Sequence, residues 1–220
     1  MRSNGRTDEH QLRPLSASFG VLSRADGSSR FGFGTTEVLA SVFGPKEVRI
    51  RDEKIDSATL QISVRPLNGL SGPLHRLAER QLRDLIEAAV LASIHPRSAI
   101  QVTIQVTGDD GCFMSAAVNA ASLALLDAGV AQRHLLASVT LAFDPNGTLL
   151  LDPSLKELET AKSVHTFTFS NSNDAVIAGV SSEGVYSQDE YKQACTVAQQ
   201  ACATIHSFYR KTMEQKLAPQ

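Results

Sequence analysis

Apolar and polar residues alternate along the first part of the chain, which is the pattern of strands with one buried face. The alternation runs over residues 15–42 and is interrupted at Asp26-Gly27 and at Gly34-Thr35, both typical of tight turns. Another alternating segment, residues 58–64, ends before Pro66. These patterns predict an antiparallel meander of strands that begins at about residue 12 and is followed by a further strand.

The spacing of apolar residues then changes to that of a helix. Between residues 73 and 93, leucines recur near the helical period, and His95-Pro96 stops the helix. A clean alternation predicts a strand over residues 100–106. Residues 115–129 are dense in small side chains and end in a glycine suited to the position after a helix. This second helix is expected to be buried on several sides.

The rest of the chain predicts two pairs of strands and a closing helix. Residues 135–143 and 148–151 flank a turn sequence at 144–147, and residues 164–169 and 175–180 flank another at 171–174. The closing helix, at about residues 187–213, starts with the capping box formed by Ser187 and Glu190. The order of elements predicts a single α+β domain over residues 1–220, with helices packed on mostly antiparallel sheets.

Composition and charge narrow the function classes. The chain has 220 residues, 42% of them hydrophobic and 20% charged, which is enough for a self-sufficient core. A formal net charge of -2 excludes a protein that coats nucleic acid through bulk positive charge, so any RNA contact must be local. Three cysteines without metal-ligand spacing, a polar start and no long apolar run predict an intracellular, soluble protein with no metal, cofactor or membrane span.

Several motifs carry a resemblance to a known family. Asn4-Gly5-Arg6 and Gln11-Leu12-Arg13-Pro14 are similar to the Asp-Gly-Arg and Leu-Arg-Pro opening of the RNase PH superfamily. Ala25-Asp26-Gly27-Ser28 and residues 34–40 are similar to the strand pair that follows in that family. The resemblance covers nearly the whole chain and implies the ribosomal protein S5 domain 2-like, or RNase PH-like, fold.

Within the superfamily, the chain resembles the eukaryotic RNA exosome branch more than bacterial RNase PH. Residues 91–97, the Gly108-Asp109-Asp110-Gly111 loop and residues 125–130 carry this resemblance, and the short length with Leu151-Asp152-Pro153 points to one type of ring subunit. The resemblance implies a six-membered ring with other RNase PH-like subunits, S1/KH cap proteins, RNA and a separate hydrolytic exoribonuclease. It also implies a location in nucleus, nucleolus and cytoplasm, and leaves a homodimer open.

The residues that would bind phosphate in active members are changed here. Those members attack RNA with inorganic phosphate and carry a Gly-Gly-Ser/Thr-Arg-Ser/Thr loop, whereas this chain has Asp110-Gly111-Cys112-Phe113-Met114, with Phe113 in place of the arginine. We expect Asp109 and Asp110 to repel an anion at this degenerate phosphate loop. The plainer interpretation is that Phe113 and Met114 are core residues that open a helix.

The catalytic carboxylates are also replaced. Alignment by eye puts Leu158 and Val164 at or next to the two acidic positions of active members. Glu157 and Glu159 remain nearby and could hold a metal ion or water, although a solvated, charged turn is the plainer interpretation.

Three arginines are candidates for RNA binding. Arg76, Arg80 and Arg83 lie where family members carry arginines on the first long helix, while Leu70 stands near a further RNA-contacting arginine. They could face a ring pore or pair with acidic neighbours. We expect a non-catalytic ring subunit that threads RNA. The alternatives are a homodimeric weak nuclease, phosphorolytic or metal-dependent, and an adaptor that binds only protein.

Overall fold

Five strands from the first half of the chain form one sheet. The computed structural model describes residues 2, 6, 8–172 and 176–218. The strands lie in the order β1-β2-β3-β5-β4, and their bounds are β1 Leu15–Phe19, β2 Gly27–Phe33, β3 Thr36–Glu47, β4 Thr59–Arg65 and β5 Ser98–Gly108. The predicted meander is confirmed, since β1, β2 and β3 pair antiparallel. Among the described strands, only β4 and β5 pair in parallel, and a helix connects these two strands.

The helix that connects β4 to β5 is α1, Pro73–Ala89. It begins with Pro73 in its first position, where a missing N–H costs nothing. Leu82 is fully buried, but Leu74 and Leu77 are 79% and 51% exposed. The helix ends before residue 93, because Val90 turns into an extended conformation. The first turns of α1 therefore present leucines to solvent instead of to the core.

The second helix, α2 Phe113–Asp127, is buried on all sides, as the small residues predict. It packs between β2 and β3 on one side and the strand at residues 136–143 on the other. Asn119, inside the core, exchanges two hydrogen bonds with the main chain of Ser138, at 2.7 and 3.0 Å. Gly129 has a φ of 69° just past the helix end, which confirms the predicted glycine cap.

A second sheet follows in the order β7-β6-β8-β9, with every neighbouring pair antiparallel. Two residues of the predicted turn at 171–174, and residue 175 of the predicted strand, lie outside the described residues. The elements of this half are β6 Leu136–Phe143, β7 Leu149–Leu151, α3 Leu155–Thr160, β8 Ser163–Ser170, β9 Ile177–Gly184 and α4 Gln188–Leu217.

Two features of this half bear on the sequence predictions. The short helix α3 stands where a charged turn was predicted, and a capping box between Ser154 and Glu157 starts it. The capping box of α4 is confirmed, since Ser187 Oγ accepts a hydrogen bond from the Glu190 amide. One hydrophobic core runs through both sheets and all three long helices, and Phe31, Phe167 and Tyr209 are buried in it. No helix in the described ranges is long and apolar enough to cross a membrane.

Candidate functional site

The positions of the former phosphate loop and of the former carboxylates meet in one cleft of about 290 Å³. We call it the candidate cleft. Phe113 comes from the start of α2, Leu158 from α3 and Val164 from β8, and all three are half-buried. The fold thus brings together the residues that the resemblance marks as replaced. The full lining is Leu74, Leu77, Ala78, Gln81, Cys112, Phe113, Met114, Thr140, Leu158, Val164, Thr166, Ser181 and Glu183.

The lining of the candidate cleft is apolar with a few hydroxyl and amide groups. Among the lining residues that the structure describes there is no lysine or arginine, and Glu183 is the one charged side chain. A phosphate group in proteins is usually held by arginine, lysine and main-chain N–H groups together. The cleft therefore lacks the cationic half of such a site.

Leu158 also covers the loop where an anion would sit. A Cβ atom built on Gly111 would lie 2.8 Å from Leu158 Cδ1, so this side chain packs directly over the loop. Gly111 has a φ of 85°, and its amide donates to Asp109 Oδ1 at 3.1 Å. The amide of Asp110 donates to Thr36 Oγ1 at 3.1 Å. These two loop amides are engaged within the protein and do not face an anion.

Asp109 and Asp110 act differently from our prediction. Neither is among the residues that line the candidate cleft. The Asp110 carboxylate accepts a hydrogen bond from Thr35 Oγ1 at 2.9 Å and lies 3.6 Å from the Arg13 guanidinium. Asp109 caps the loop by accepting from Gly111. The two carboxylates therefore do not place negative charge inside the cleft. The cleft differs from an anion site in its lining without a cation and in the cover of Gly111 by Leu158.

Arg13 of the Leu-Arg-Pro motif forms a buried ion pair with Asp152 beneath the loop, and we call this pair the buried anchor. Arg13 is 4% exposed and Asp152 is 1% exposed. The Asp152 carboxylate accepts from the Arg13 Nε at 2.8 Å and Nη2 at 2.6 Å, and from its main-chain N at 3.1 Å. Burial alone would lower the pKa of Arg13, but the hydrogen bonds and charge of Asp152 raise it overall. Arg13 also donates to the carbonyls of Asp110 and Gly111, so it fixes the loop.

A second arginine from the opening motif joins this anchor. Arg6 donates to the Asp152 carbonyl at 2.8 Å, and its guanidinium lies 3.8 Å from the carboxylates of Asp152 and Glu157. Burial and the charge of Arg2 lower the pKa of Arg6. Arg6 thus holds the start of the chain against Asp152, while Asn4 and Gly5 lie outside the described residues.

Glu157 and Glu159 do not form a metal site. Glu157 Oε2 accepts from the Ser154 amide at 2.9 Å and pairs with Arg2 Nη2 at 3.2 Å, so its carboxylate is already engaged. Glu159 is exposed. The residue between these two glutamates, Leu158, lines the cleft. Within residues 2, 6, 8–172 and 176–218, no group of His, Cys, Asp and Glu is arranged to hold a metal ion. The geometry therefore gives the metal-dependent alternative no site at these residues.

Cys112 is the one cysteine among the described residues that line the cleft. It has a φ of 63°, and its thiol donates to the Pro153 carbonyl at 3.1 Å. Burial and the charge of Asp152 raise the pKa of Cys112 well above the ordinary value of 9.0. Because the thiolate is the reactive form of cysteine, the raised pKa favours the less reactive, protonated thiol, which packs against the loop.

Arg76, Arg80 and Arg83 lie on the far side of α1 from the candidate cleft. At 3.6 residues per turn, Arg83 is about 180° around the helix from Leu74, which lines the cleft. All three arginines are exposed, and none forms an ion pair within the described part of the chain. Of the two interpretations left open by the sequence, pairing with acidic neighbours is not seen among the described residues, and exposure toward a ring pore stays a prediction. These charges lie too far around the helix to compensate for the missing cation in the cleft.

Comparisons with known proteins agree with the motifs. Residues 11–131 match domain 1 of the 3′ exoribonuclease family, and residues 134–201 match domain 2. The exosome complex exonuclease RRP46 homolog of Arabidopsis thaliana is 32% identical, over 97% of this chain and 96% of that protein. The exosome complex component RRP46 of Saccharomyces cerevisiae is 30% identical, over 93% of this chain and 97% of its own length.

Solved structures show the same fold. The crystal structure of rice Rrp46 superimposes with a TM-score of 0.92 at 31% identity, and covers 97% of this chain and 100% of that one. An RNA-bound exosome from Archaeoglobus fulgidus shares the fold with a TM-score of 0.80 at 21% identity, over 94% of this chain and 92% of its own. The plant and yeast relatives are both named RRP46, and this is the type of ring subunit that the Leu151-Asp152-Pro153 segment resembles. The chain belongs to the 3′ exoribonuclease family and has its RNase PH-like fold.

Proposed function

We propose that the chain is a ring subunit of the RNA exosome without phosphorolytic activity. It supports 3′-to-5′ RNA processing and decay, including the maturation of ribosomal RNA, by completing the ring and threading RNA. The observation that carries the proposal is the candidate cleft, where Phe113 replaces the phosphate-binding arginine and Leu158 covers Gly111. The exosome names of the full-length relatives support the ring assignment.

The chemistry of phosphorolysis explains why this cleft is decisive. The attacking group is an anion, and it must approach a phosphodiester that is itself an anion. Only cations and preorganised N–H groups make that approach favourable, and removing even one such donor from an active site typically costs about 100- to 1,000-fold in rate. Here the arginine and both carboxylate positions are apolar, so the binding step and the proton-transfer step are both lost.

In this proposal the fold contributes to the exosome by assembling with other subunits. Each of the two sheets ends in strands with an unpaired outer edge among the described strands, namely β1 and β4 in one sheet and β7 and β9 in the other. Such edges are natural sites for pairing with other chains. The partners of this proposal are other RNase PH-like subunits in a six-membered ring, S1/KH cap proteins and a separate hydrolytic exoribonuclease, in the nucleus, nucleolus and cytoplasm.

RNA contact, in this proposal, falls on the arginine side of α1. Arg76, Arg80 and Arg83 form an exposed basic stripe spaced by four and three residues. Contacts of arginine with phosphates give affinity without sequence preference, which suits a path that many RNAs must follow.

A phosphate-dependence assay tests the loss of activity. The purified chain, alone and reconstituted with its ring partners, is incubated with a 3′-tailed RNA in the presence and absence of inorganic phosphate, beside an active RNase PH as a positive control. We expect no phosphate-dependent release of nucleoside diphosphates above the blank. Steady release that disappears in Arg80→Ala would overturn the proposal.

A metal-dependent nuclease is the second candidate, because the names of the plant relatives include the word exonuclease. The same assay therefore includes magnesium and manganese arms and a DNA substrate. Cleavage that is lost in Glu159→Gln but kept in Lys156→Gln, a matched exposed change on the same short helix, would favour this candidate.

A further inference from the structure

A second cavity adjoins the candidate cleft. It measures about 260 Å³ and shares Gln81, Met114, Thr166 and Ser181 with the lining of the first. The two cavities together form one groove between α1 and β9, which we call the α1–β9 groove. A cavity of about 150 Å³ holds one benzene ring, so each of the two has room for a large apolar side chain.

One wall of the α1–β9 groove exposes apolar side chains to water. Leu74 and Leu77 of α1 are 79% and 51% exposed, and they face Phe113, Met114 and Leu158 across the first cavity. Exposed leucines that cluster around a cavity are unlike the single apolar residues scattered over most protein surfaces. Covering them would remove an unfavourable contact with solvent.

The charged side chains of the groove all have the same sign. Glu183 lines the first cavity and Asp84 lines the second, and no cation lines either one in the described parts of the chain. Both carboxylates are exposed, and neither has an ion-pair partner among the described residues. The groove therefore repels RNA phosphates and favours a ligand that carries lysine or arginine.

The groove also runs along the outer strand of the second sheet. Four consecutive residues of β9, Ala178, Gly179, Val180 and Ser181, line the second cavity. Thr166 and Thr168 of the neighbouring strand β8 line the same cavity, so the groove lies on the face of the sheet and reaches its outer strand, β9. No described strand pairs with the outer edge of β9. A segment that leaves the groove across this strand in an extended conformation can form main-chain hydrogen bonds with that edge.

We infer that the α1–β9 groove binds an extended segment of a partner protein. Two large apolar side chains of the segment, two positions apart and so on the same face, fill the two cavities. A lysine or arginine beside them pairs with Glu183 or Asp84. The inference rests on the proposed loss of phosphorolysis, since a cleft that takes up phosphate and RNA cannot also hold an apolar segment.

Selection from a displayed library of short random peptides tests this inference on the full chain. The enriched peptides are expected to contain two large apolar residues at alternate positions with a flanking lysine or arginine. Binding of an enriched, fluorescein-labelled peptide is then measured by anisotropy. We expect Leu77→Glu or Leu74→Ser to weaken it by about tenfold, as for a central apolar contact. Glu183→Gln should weaken it by about threefold and reduce its dependence on salt.

The matched control is Glu87→Gln, which removes an exposed carboxylate of the same helix that pairs with Lys54 and lines neither cavity, so it should leave peptide binding unchanged. Equal melting temperatures of the variants exclude unfolding as the cause of a loss. The inference is overturned if no peptide family is enriched, if Leu77→Glu binds the peptide as well as the wild type, if acidic peptides are preferred, or if oligo(A) RNA displaces the peptide. Phosphate-dependent RNA cleavage would instead refute the proposed function.

Discussion

Asp152→Asn is the substitution that most directly tests the buried anchor. Asparagine has nearly the same shape as aspartate, and it tolerates the φ of 53° that this residue adopts. The change therefore removes a charge without forcing the main chain to move. The Arg13 guanidinium is left almost wholly buried with no carboxylate within 3.5 Å, because its other carboxylate neighbour, Asp110, is 3.6 Å away and partly exposed.

The expected loss follows from the contacts of the carboxylate. Asp152 accepts three hydrogen bonds from Arg13, between 2.6 and 3.1 Å, and also lies 3.8 Å from Arg6. Removing one partner of a buried ion pair typically costs about 3–5 kcal/mol, because the other charge stays buried without compensation. We expect a loss within that range, which is a large part of the total stability of an ordinary domain.

Urea unfolding followed by fluorescence and circular dichroism measures this loss. The control is Glu87→Gln, which breaks the exposed pair between Glu87 and Lys54 and should cost less than about 1 kcal/mol. A loss for Asp152→Asn no larger than that of the control would refute the argument that this carboxylate holds the anchor.

Three further predictions follow from the site and its surroundings. Phe113→Arg should give phosphate binding that calorimetry detects in the variant and not in Phe113→Leu, while phosphorolysis stays absent because Leu158 and Val164 remain apolar. Replacing Arg76, Arg80 and Arg83 by glutamate in the assembled ring should reduce oligo(A) affinity and lower the slope of its salt dependence by about 0.7 per lost phosphate contact, whereas Arg24→Glu should change neither. Burial lowers the pKa of His165 below 6.5, although the charge of Glu190 opposes the shift, so the folded state favours the neutral ring. The stability linked to this histidine is present above its unfolded-state pKa and is lost as the pH falls through its folded-state pKa. The free energy of unfolding should therefore fall more steeply between about pH 8 and 5 in the wild type than in His165→Gln.

Local patterns predicted most of the fold. Turn sequences predicted the hairpins, and the capping box of Ser187 and Glu190 predicted the start of α4. The small residues of α2 predicted its burial. The helix α3 was missed because half of its six residues are charged and its capping partner Glu157 looked like a free carboxylate. The exposure of Leu74 and Leu77 was also hidden, because a helical period shows which side chains lie together and not what covers them.

The candidate site was predictable in position and less so in electrostatics. Phe113, Leu158 and Val164, which the alignment set at or next to the replaced positions, line one cleft. The Asp110 carboxylate points toward Thr35 and Arg13, which are 75 and 97 positions away along the chain, and no local pattern encodes those contacts. The partner of Glu157, Arg2, is 155 positions away. Long-range ion pairs thus decided which carboxylates were available for chemistry, and sequence reasoning could not see them.

The N-terminus of α2 still opens toward the candidate cleft, and the question is whether its dipole alone could hold phosphate. The partial positive charge at a helix end contributes about 0.3–1 kcal/mol, and up to about 2 kcal/mol in partly buried geometry. Removing an ion from water into a protein interior costs several kcal/mol even after relaxation. The dipole therefore cannot offset desolvation once the arginine has become Phe113 and Leu158 covers Gly111. In the proposed function a few side-chain changes remove the chemistry while a fold with a TM-score of 0.92 to rice Rrp46 remains, so the activity of a family member must be argued from its cleft and not from its fold.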